Sequence, residues 1–156
     1  MLKIGLNGFG RIGRIFTRVA LLRNSFEIVV INTRKTPSSM MAYLLQYDSV
    51  YRKFEKKVSF DEDGIIVDEK KISSTQIPEI DQIDWGKYEV DIVVDATGAF
   101  TKWGDLQKHL KNNVKKVILT APAKDEVTPT VVLGVNDESF DFKNNHVFSM
   151  ASCTTN

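Results

Sequence analysis

The sequence predicts an α/β fold built on a doubly wound, mostly parallel sheet, and three observations predict it. A short apolar run, Ile4 to Leu6, leads straight into glycines in G-x-G-x-x-G spacing at Gly8, Gly10 and Gly13. Ile12, Ile15, Phe16, Val19, Ala20 and Leu22 then recur at helical spacing. After the turn residues Asn24-Ser25 comes a second run, Glu27 to Asn32. It is apolar almost throughout, as a parallel strand covered on both faces must be. Strand, helix and strand within about thirty residues form a βαβ unit.

In that setting each glycine has its own task. Gly8 permits the tight turn, Gly10 the close approach of a pyrophosphate, and Gly13 the contact of helix with strand. The free N–H groups of the first helical turn, with the helix dipole behind them, face the anion. A glycine-rich turn without a ligand is the plainer reading. The strand before it and the helix after it favour a dinucleotide site.

The remaining elements follow the same rhythm. Thr36-Pro37 starts a helix that carries Met40, Met41, Tyr43, Leu44, Leu45 and Tyr47. Residues 51–75 change character. A mixed-charge run, Tyr51 to Lys57, precedes short alternating strands at Val58–Phe60, Ile65–Val67 and Lys70–Ile72, separated by Asp/Gly turns. These predict a small antiparallel insertion at the sheet edge, its lysines protecting the edge rather than reading nucleic acid. Val90–Asp95 is the next buried strand, with Ala96-Thr97-Gly98 as the turn at its carboxyl end. Trp103 to Lys111 reads as a helix, with His109 on its solvated face. Further strands are expected at Lys116–Leu119, Val131–Leu133 and His146–Phe148. Doubly wound sheets bind ligands beyond the carboxyl ends of their strands. That places Asn32-Thr33, Thr97-Gly98 and Thr120 around the same crevice as the glycine turn.

Composition narrows the function classes. With 21 Lys+Arg against 20 Asp+Glu, nothing in the bulk charge calls for nucleic acid or a membrane surface. Neither a bilayer-spanning run nor a secretory signal is read from the chain. One cysteine, Cys153, excludes an internal disulfide and fits a reducing cytoplasm. Neither a metal-ligand constellation nor an internal repeat stands out.

The chain closes on Ser149-Met150-Ala151-Ser152-Cys153-Thr154-Thr155-Asn156. A lone cysteine is usually an inert buried residue, yet this one follows a strand and sits among small hydroxyl residues. Asn7-Gly8-Phe9-Gly10-Arg11-Ile12-Gly13-Arg14 together with Ala151-Ser152-Cys153-Thr154-Thr155-Asn156 resembles the phosphorylating glyceraldehyde-3-phosphate dehydrogenases. Asp48-Ser49-Val50, Ala96-Thr97-Gly98, Ala121-Pro122-Ala123-Lys124 and Gly134-Val135-Asn136 are similar to that family's intervening motifs, in order. The resemblance spans residues 1–156 but only the family's N-terminal half. It implies a Rossmann-type dinucleotide-binding domain that ends just after the catalytic cysteine, without the C-terminal catalytic domain.

What the resemblance implies can be carried over residue by residue. Cys153 becomes the nucleophile that attacks the aldehyde of glyceraldehyde 3-phosphate, with hydride transfer to the nicotinamide and phosphorolysis of a thioester by inorganic phosphate. Ser152 and Thr154 become neighbours of the substrate and its phosphates. Arg11 and Ile12 lie on the pyrophosphate, Thr97 and Gly98 near the adenosine half, and Thr120 near the nicotinamide. Asn7, Phe9, Asn32, Thr33 and Arg34 complete the expected cofactor site, and the complete protein is expected to be a homo-oligomer.

Three departures stand out. Met150 replaces the usual asparagine, Tyr51-Arg52 the usual His-Gly, and Asn32-Thr33-Arg34 the usual Asn-Asp. The acidic residue that bonds the ribose 2′-OH falls about twenty residues after the glycine motif, where this chain has Thr33. Loss of that carboxylate, with Arg34 beside it, predicts use of NADP, or of both NAD and NADP. Neither His109 nor His146 is placed to act as the family's general base, so the chain alone is expected to be inactive. The competing readings are a nucleotide-binding module without turnover, a sister enzyme acting on erythrose 4-phosphate, and an RNA-binding scaffold.

Overall fold

The two apolar runs that bracket the glycine triplet become neighbouring parallel strands, and the rest of the sheet grows outward from them. A computed structural model describes residues 1–156. Its first unit is β1 (Lys3–Asn7), α1 (Arg11–Arg23) and β2 (Glu27–Asn32), with α1 ending on Asn24 in the left-handed region at φ 52°. Next come α2 (Ser38–Gln46) and a two-residue ladder of β3 (Tyr47–Asp48) with β4 (Arg52–Lys53). Strands β5 (Val58–Asp61), β6 (Gly64–Val67) and β7 (Lys70–Thr75) follow as a meander. Two 3-10 turns, Ile80–Gln82 and Gly86–Tyr88, lead to β8 (Ile92–Asp95). The chain ends with α3 (Trp103–Leu106), a 3-10 turn at Gln107–His109, β9 (Lys116–Leu119) and β10 (Val147–Ser149).

The eight-stranded sheet has the order β10-β9-β8-β1-β2-β7-β6-β5. Pairing is parallel from β10 to β7 and antiparallel only among β7, β6 and β5. The expected insertion is therefore an extension of the main sheet, because β7 pairs in parallel with β2 at Val30, Ile31 and Asn32. Both faces are covered. Ile4, Leu6, Ile31 and Val94 pack with α1 and α2 through Ala20, Met41 and Leu45. Val30, Val93, Val117 and Leu119 pack on the other face with Trp85 and Leu106. No helix is long and apolar enough to cross a membrane.

Two expectations fail. Val131–Leu133 is not a strand: the segment makes one isolated bridge, Thr130 to Ser149, and Leu133 is 65% exposed. Three apolar residues between Pro129 and Gly134 are too few to sustain a ladder. His109 is not on a solvated face, being fully buried. The helix tightens to 3-10 after Leu106, and in that geometry residues i and i+3 eclipse. His109 therefore follows buried Leu106 inward.

Arg18 ties α1 to the loop after α2. Its buried guanidinium donates to the carbonyl of Leu45 at 2.6 and 3.0 Å and to that of Arg52 at 3.1 Å, and it lies 5.2 Å from the Phe54 ring centroid. Arg52 itself has φ 61°, a conformation that costs a side-chain-bearing residue about 1–2 kcal/mol. Its side chain makes no hydrogen bond or ion pair, so Arg52→Gly should stabilise the chain by roughly 0.5–1 kcal/mol. A thermal melt checks this, and an unchanged or lowered Tm counts against it.

Candidate functional site

The chain leaves β1 through α1 toward β2, but leaves β8 through α3 toward β9, on the opposite face. Connections therefore reverse direction between β1 and β8, where a doubly wound sheet opens a crevice at its carboxyl edge. The glycine turn lies at that point. Gly8 has φ 99°, and a Cβ there would come 2.8 Å from the Thr97 nitrogen and 2.9 Å from the Ala96 carbonyl carbon. A Cβ on Gly13 would come 2.2 Å from the Gly8 oxygen. Gly10 is different: nothing lies within 4 Å of a Cβ placed there, so the protein leaves space beside its backbone.

That space faces the start of α1. Gly10 is its N-cap without any side-chain cap, and the first intrahelical bond runs from the Arg14 nitrogen to the Gly10 oxygen at 3.0 Å. No acceptor within the chain meets the N–H groups of Arg11, Ile12 and Gly13. No acidic residue occupies that first turn. Free donors, the positive helix end and an open approach fit a phosphate-bearing ligand.

The neighbourhood is also cationic. Arg11 is exposed and pairs with the Asp48 carboxylate. Backbone N–H groups of Tyr51 and Val50, and then Arg11, hold the Asp48 carboxyl below the usual carboxylate range. Burial, followed by the charge of Arg11, pushes the Arg14 guanidinium downward. Arg14 donates to the Phe9 carbonyl at 3.1 Å, and its Nε has no partner.

Beneath the crevice runs a buried polar network that joins the expected residues Asn7, Asn32 and Thr97 to Asp95, His109, Trp85 and Thr75, which the sequence pattern does not single out. Asp95 Oδ2 accepts from Asn7 Nδ2 at 2.8 Å, and Oδ1 accepts from the Thr97 backbone at 3.0 Å and its hydroxyl at 2.6 Å. Asn7 Oδ1 accepts from Asn32 Nδ2 at 2.8 Å. Asn32 Oδ1 accepts from the Thr75 hydroxyl at 2.8 Å and the Ile77 nitrogen at 3.0 Å. His109 Nε2 lies 3.3 Å from Asp95 Oδ2, and Trp85 Nε1 donates to His109 Nδ1 at 3.0 Å. The available signal was an aspartate ending the apolar run of β8, since a buried carboxylate must find donors.

The remaining expected site residues divide by what they expose. Phe9 is buried in the core, so only its backbone belongs to the glycine turn. Ile12 is 46% exposed beside the free N–H groups. Thr33 is buried, and its hydroxyl is taken up by Thr36, accepting from the nitrogen at 3.2 Å and donating to the carbonyl at 3.1 Å. Arg34 is exposed and forms no ion pair. Gly98, at φ 67°, is exposed after Thr97. Thr120 directs its hydroxyl to the Asp95 carbonyl at 3.1 Å, next to its own backbone bond to the same oxygen.

Past β10 the backbone turns sharply at Ala151, φ 62°, whose nitrogen is held by the Ser149 hydroxyl at 3.0 Å. Ser152 then caps a single helical turn: its hydroxyl accepts from the Thr155 nitrogen at 3.1 Å, and its carbonyl from the Asn156 nitrogen at 3.2 Å. Cys153 is the exposed first residue of that turn, with Thr154 exposed beside it. It follows the carboxyl end of β10, the same sheet edge as Asn7, Asn32, Thr97 and Thr120. His146 precedes β10 at the opposite end and binds the Lys115 carbonyl at 3.0 Å.

A groove of about 740 Å³ lies elsewhere, between the end of α1 and the β6–β7 turn. It has the wrong polarity for a phosphate, because it receives the carbonyl end of α1. Three of its four lysines are engaged, Lys56 with Asp68 at 2.8 Å, Lys70 with Asn24 at 3.0 Å and Lys71 with Asp61 at 2.7 Å.

Comparison with known proteins gives the family. The family model described as the NAD-binding domain of glyceraldehyde 3-phosphate dehydrogenase matches residues 2–103. Glyceraldehyde-3-phosphate dehydrogenase of Priestia megaterium is 48% identical over 154 residues, 99% of this chain and 45% of that protein. The Geobacillus stearothermophilus enzyme is 46% identical over the same shares of each chain. Glyceraldehyde-3-phosphate dehydrogenase 3 of Saccharomyces cerevisiae is 41% identical, over 100% of this chain and 46% of its own length. The chain thus spans less than half the length of these relatives.

Proposed function

The chain belongs to the glyceraldehyde-3-phosphate dehydrogenase family, of which it carries the NAD-binding domain, and on that premise we propose that it is the cofactor-holding half of a phosphorylating aldehyde dehydrogenase. One observation carries the reading: an uncapped helix start whose first three N–H groups are free, beside a backbone left open at Gly10. Gly8, Gly10, Arg11, Ile12 and Gly13 would hold the pyrophosphate. Asn7 and Asn32 would form the floor, Thr97 and Gly98 would flank the adenosine half, and Thr120 the nicotinamide half. NAD, when bound, supplies the acceptor for a hydride.

The chain's own part in the chemistry lies at Cys153. Its sulfur adds to the aldehyde carbon of glyceraldehyde 3-phosphate, and the carbon leaves the oxidation step as a thioester. An oxygen of inorganic phosphate then displaces the sulfur, returning the thiolate and releasing the acyl phosphate. Ser152 and Thr154 place hydroxyls beside the reacting carbon and the phosphates. Both histidines are committed elsewhere, His109 between Trp85 and Asp95 and His146 at the far end of β10. The general base therefore comes from outside these 156 residues, and the polypeptide alone binds nucleotide without turning over. The homo-oligomer and the cytoplasmic location belong to this same reading.

Cofactor choice follows from the end of β2. No carboxylate occupies positions 32–34, and Arg34 is exposed without an ion pair. We therefore expect NADP to be accepted beside NAD. Calorimetric titration of both nucleotides tests the site and the choice together. Binding of neither overturns the reading, and exclusive binding of NAD overturns the cofactor claim. Arg34→Ala should weaken NADP by roughly fivefold, about the worth of an exposed ion pair, and leave NAD unchanged. Thr33→Asp is a blunter tool, because its carboxylate would have to settle against the Thr36 and Thr75 carbonyls now near the threonine hydroxyl.

A further inference from the structure

We infer that His109 is a positioning residue for the nucleotide crevice: held by Trp85, it orients the Asp95 carboxylate, which sets the Asn7 amide and the Thr97 turn. The inference rests on the reading of that crevice as the nucleotide site. It concerns a residue that lies on the far side of the floor and faces no ligand.

Trp85 is the fixed end. Its indole is fully buried, packs directly on Gly5 of β1, and offers only a donor. His109 Nδ1 must therefore accept from Trp85 Nε1, which leaves the hydrogen on Nε2, 3.3 Å from Asp95 Oδ2. One indole thus selects the imidazole tautomer. The carboxylate is the junction. Wholly buried, it takes Asn7 and His109 on one oxygen and both donors of Thr97 on the other.

The same logic carries the orientation into the crevice. Asp95 takes a donor from Asn7 at 2.8 Å, so Asn7 turns its Nδ2 toward Asp95 and its Oδ1 toward Asn32. Asn32 is set from its own side, because Ile77 gives its N–H to Oδ1 at 3.0 Å and takes Nδ2 on its carbonyl at 2.9 Å. Asn7 is therefore held between two fixed ends, Asp95 on Nδ2 and Asn32 on Oδ1, and His109 acts on the Asp95 end. Asn7 immediately precedes Gly8 and Thr97 immediately precedes Gly98, so the end products of this ordering are the two turns that meet at the switch point. Were the network merely core filling, any residue of similar bulk at 109 would serve.

The test uses the 156-residue chain with NAD as the probe and follows the Asn7 side-chain amide by NMR in parallel. His109→Leu should weaken NAD about tenfold, the scale of one hydrogen bond to a charged group, and should broaden the Asn7 amide signals in the free chain. His109→Gln can accept from Trp85 and donate to Asp95, and should bring the affinity back to within about threefold of wild type. In an Asn7→Ala background, His109→Leu should cost clearly less than in the wild type, because one of the two branches from Asp95 is already broken. Losses that multiply, a glutamine no better than leucine, or unchanged affinity and sharp Asn7 signals in folded His109→Leu would each overturn the inference. Should His109→Leu fail to fold, Trp85→Phe removes the N–H that holds the imidazole, together with part of the buried indole, and it should broaden the Asn7 signals and lower the affinity in the same direction. A wild-type chain that binds no NAD would refute the functional reading, while the Asn7 signals would still decide whether His109 orders the floor.

Discussion

Gly13→Ala should be the most damaging single-methyl change in this chain, lowering stability by roughly 3 kcal/mol or more and abolishing tight nucleotide binding. Its Cβ would lie 2.2 Å from the Gly8 oxygen and 3.1 Å from the Gly8 carbonyl carbon. The obstacle is backbone, not a side chain that can rotate away. Relief requires α1 to lift off the turn, yet α1 is held to the sheet through Ala20 and to the loop after α2 through Arg18. Gly10→Ala provides the contrast. Nothing lies within 4 Å of its Cβ, so its stability cost is only that of a poorer N-cap, about 1 kcal/mol at most. Its methyl would instead fill the space kept for the phosphate. Melting curves and NAD titrations of the two variants check the pair. A Gly13→Ala chain with wild-type Tm, or a Gly10→Ala chain with wild-type affinity, counts against this account of the turn.

That contrast also shows what the sequence could disclose. Glycine spacing between a strand and a helical repeat is enough to locate the turn, since strand, turn and helix are each local. The Asp/Gly turns likewise disclose the β5–β7 meander, because hairpin register is set by neighbouring residues. What escaped was non-local. β7 joins β2 in parallel across forty residues of chain, and nothing in Lys70–Thr75 marks that partner. His109 was misread because Lys108 and Lys111 beside it suggest a wet face, whereas the change from α to 3-10 after Leu106 turns it inward. Thr33 sits at the spacing expected of a ribose ligand, but its side chain closes its own loop. At the candidate site, then, the backbone elements were legible, and the tertiary partners that orient Asn7 and Asn32 were not.

Cys153→Ser should remove turnover from the completed enzyme, by roughly 10³-fold or more, while sparing the fold and the cofactor. Completion means joining or mixing this chain with the C-terminal half of a relative such as the Priestia megaterium enzyme, because these 156 residues offer no histidine to the thiol. Serine keeps the shape but makes a far weaker nucleophile at neutral pH, and an ester in place of a thioester is a poorer partner for phosphate. The exposed thiol makes no hydrogen bond, and the turn it begins is capped by Ser152 rather than by Cys153 itself. Stability should therefore stay within about 0.5 kcal/mol of wild type, and NAD affinity should be unchanged. In the 156-residue chain alone, Cys153 should alkylate at the rate of an ordinary exposed thiol. Adding the C-terminal half should accelerate alkylation at pH 7 as turnover appears. Turnover that survives Cys153→Ser, or fast alkylation of the isolated chain, would mean that the nucleophile or its activating partner lies elsewhere.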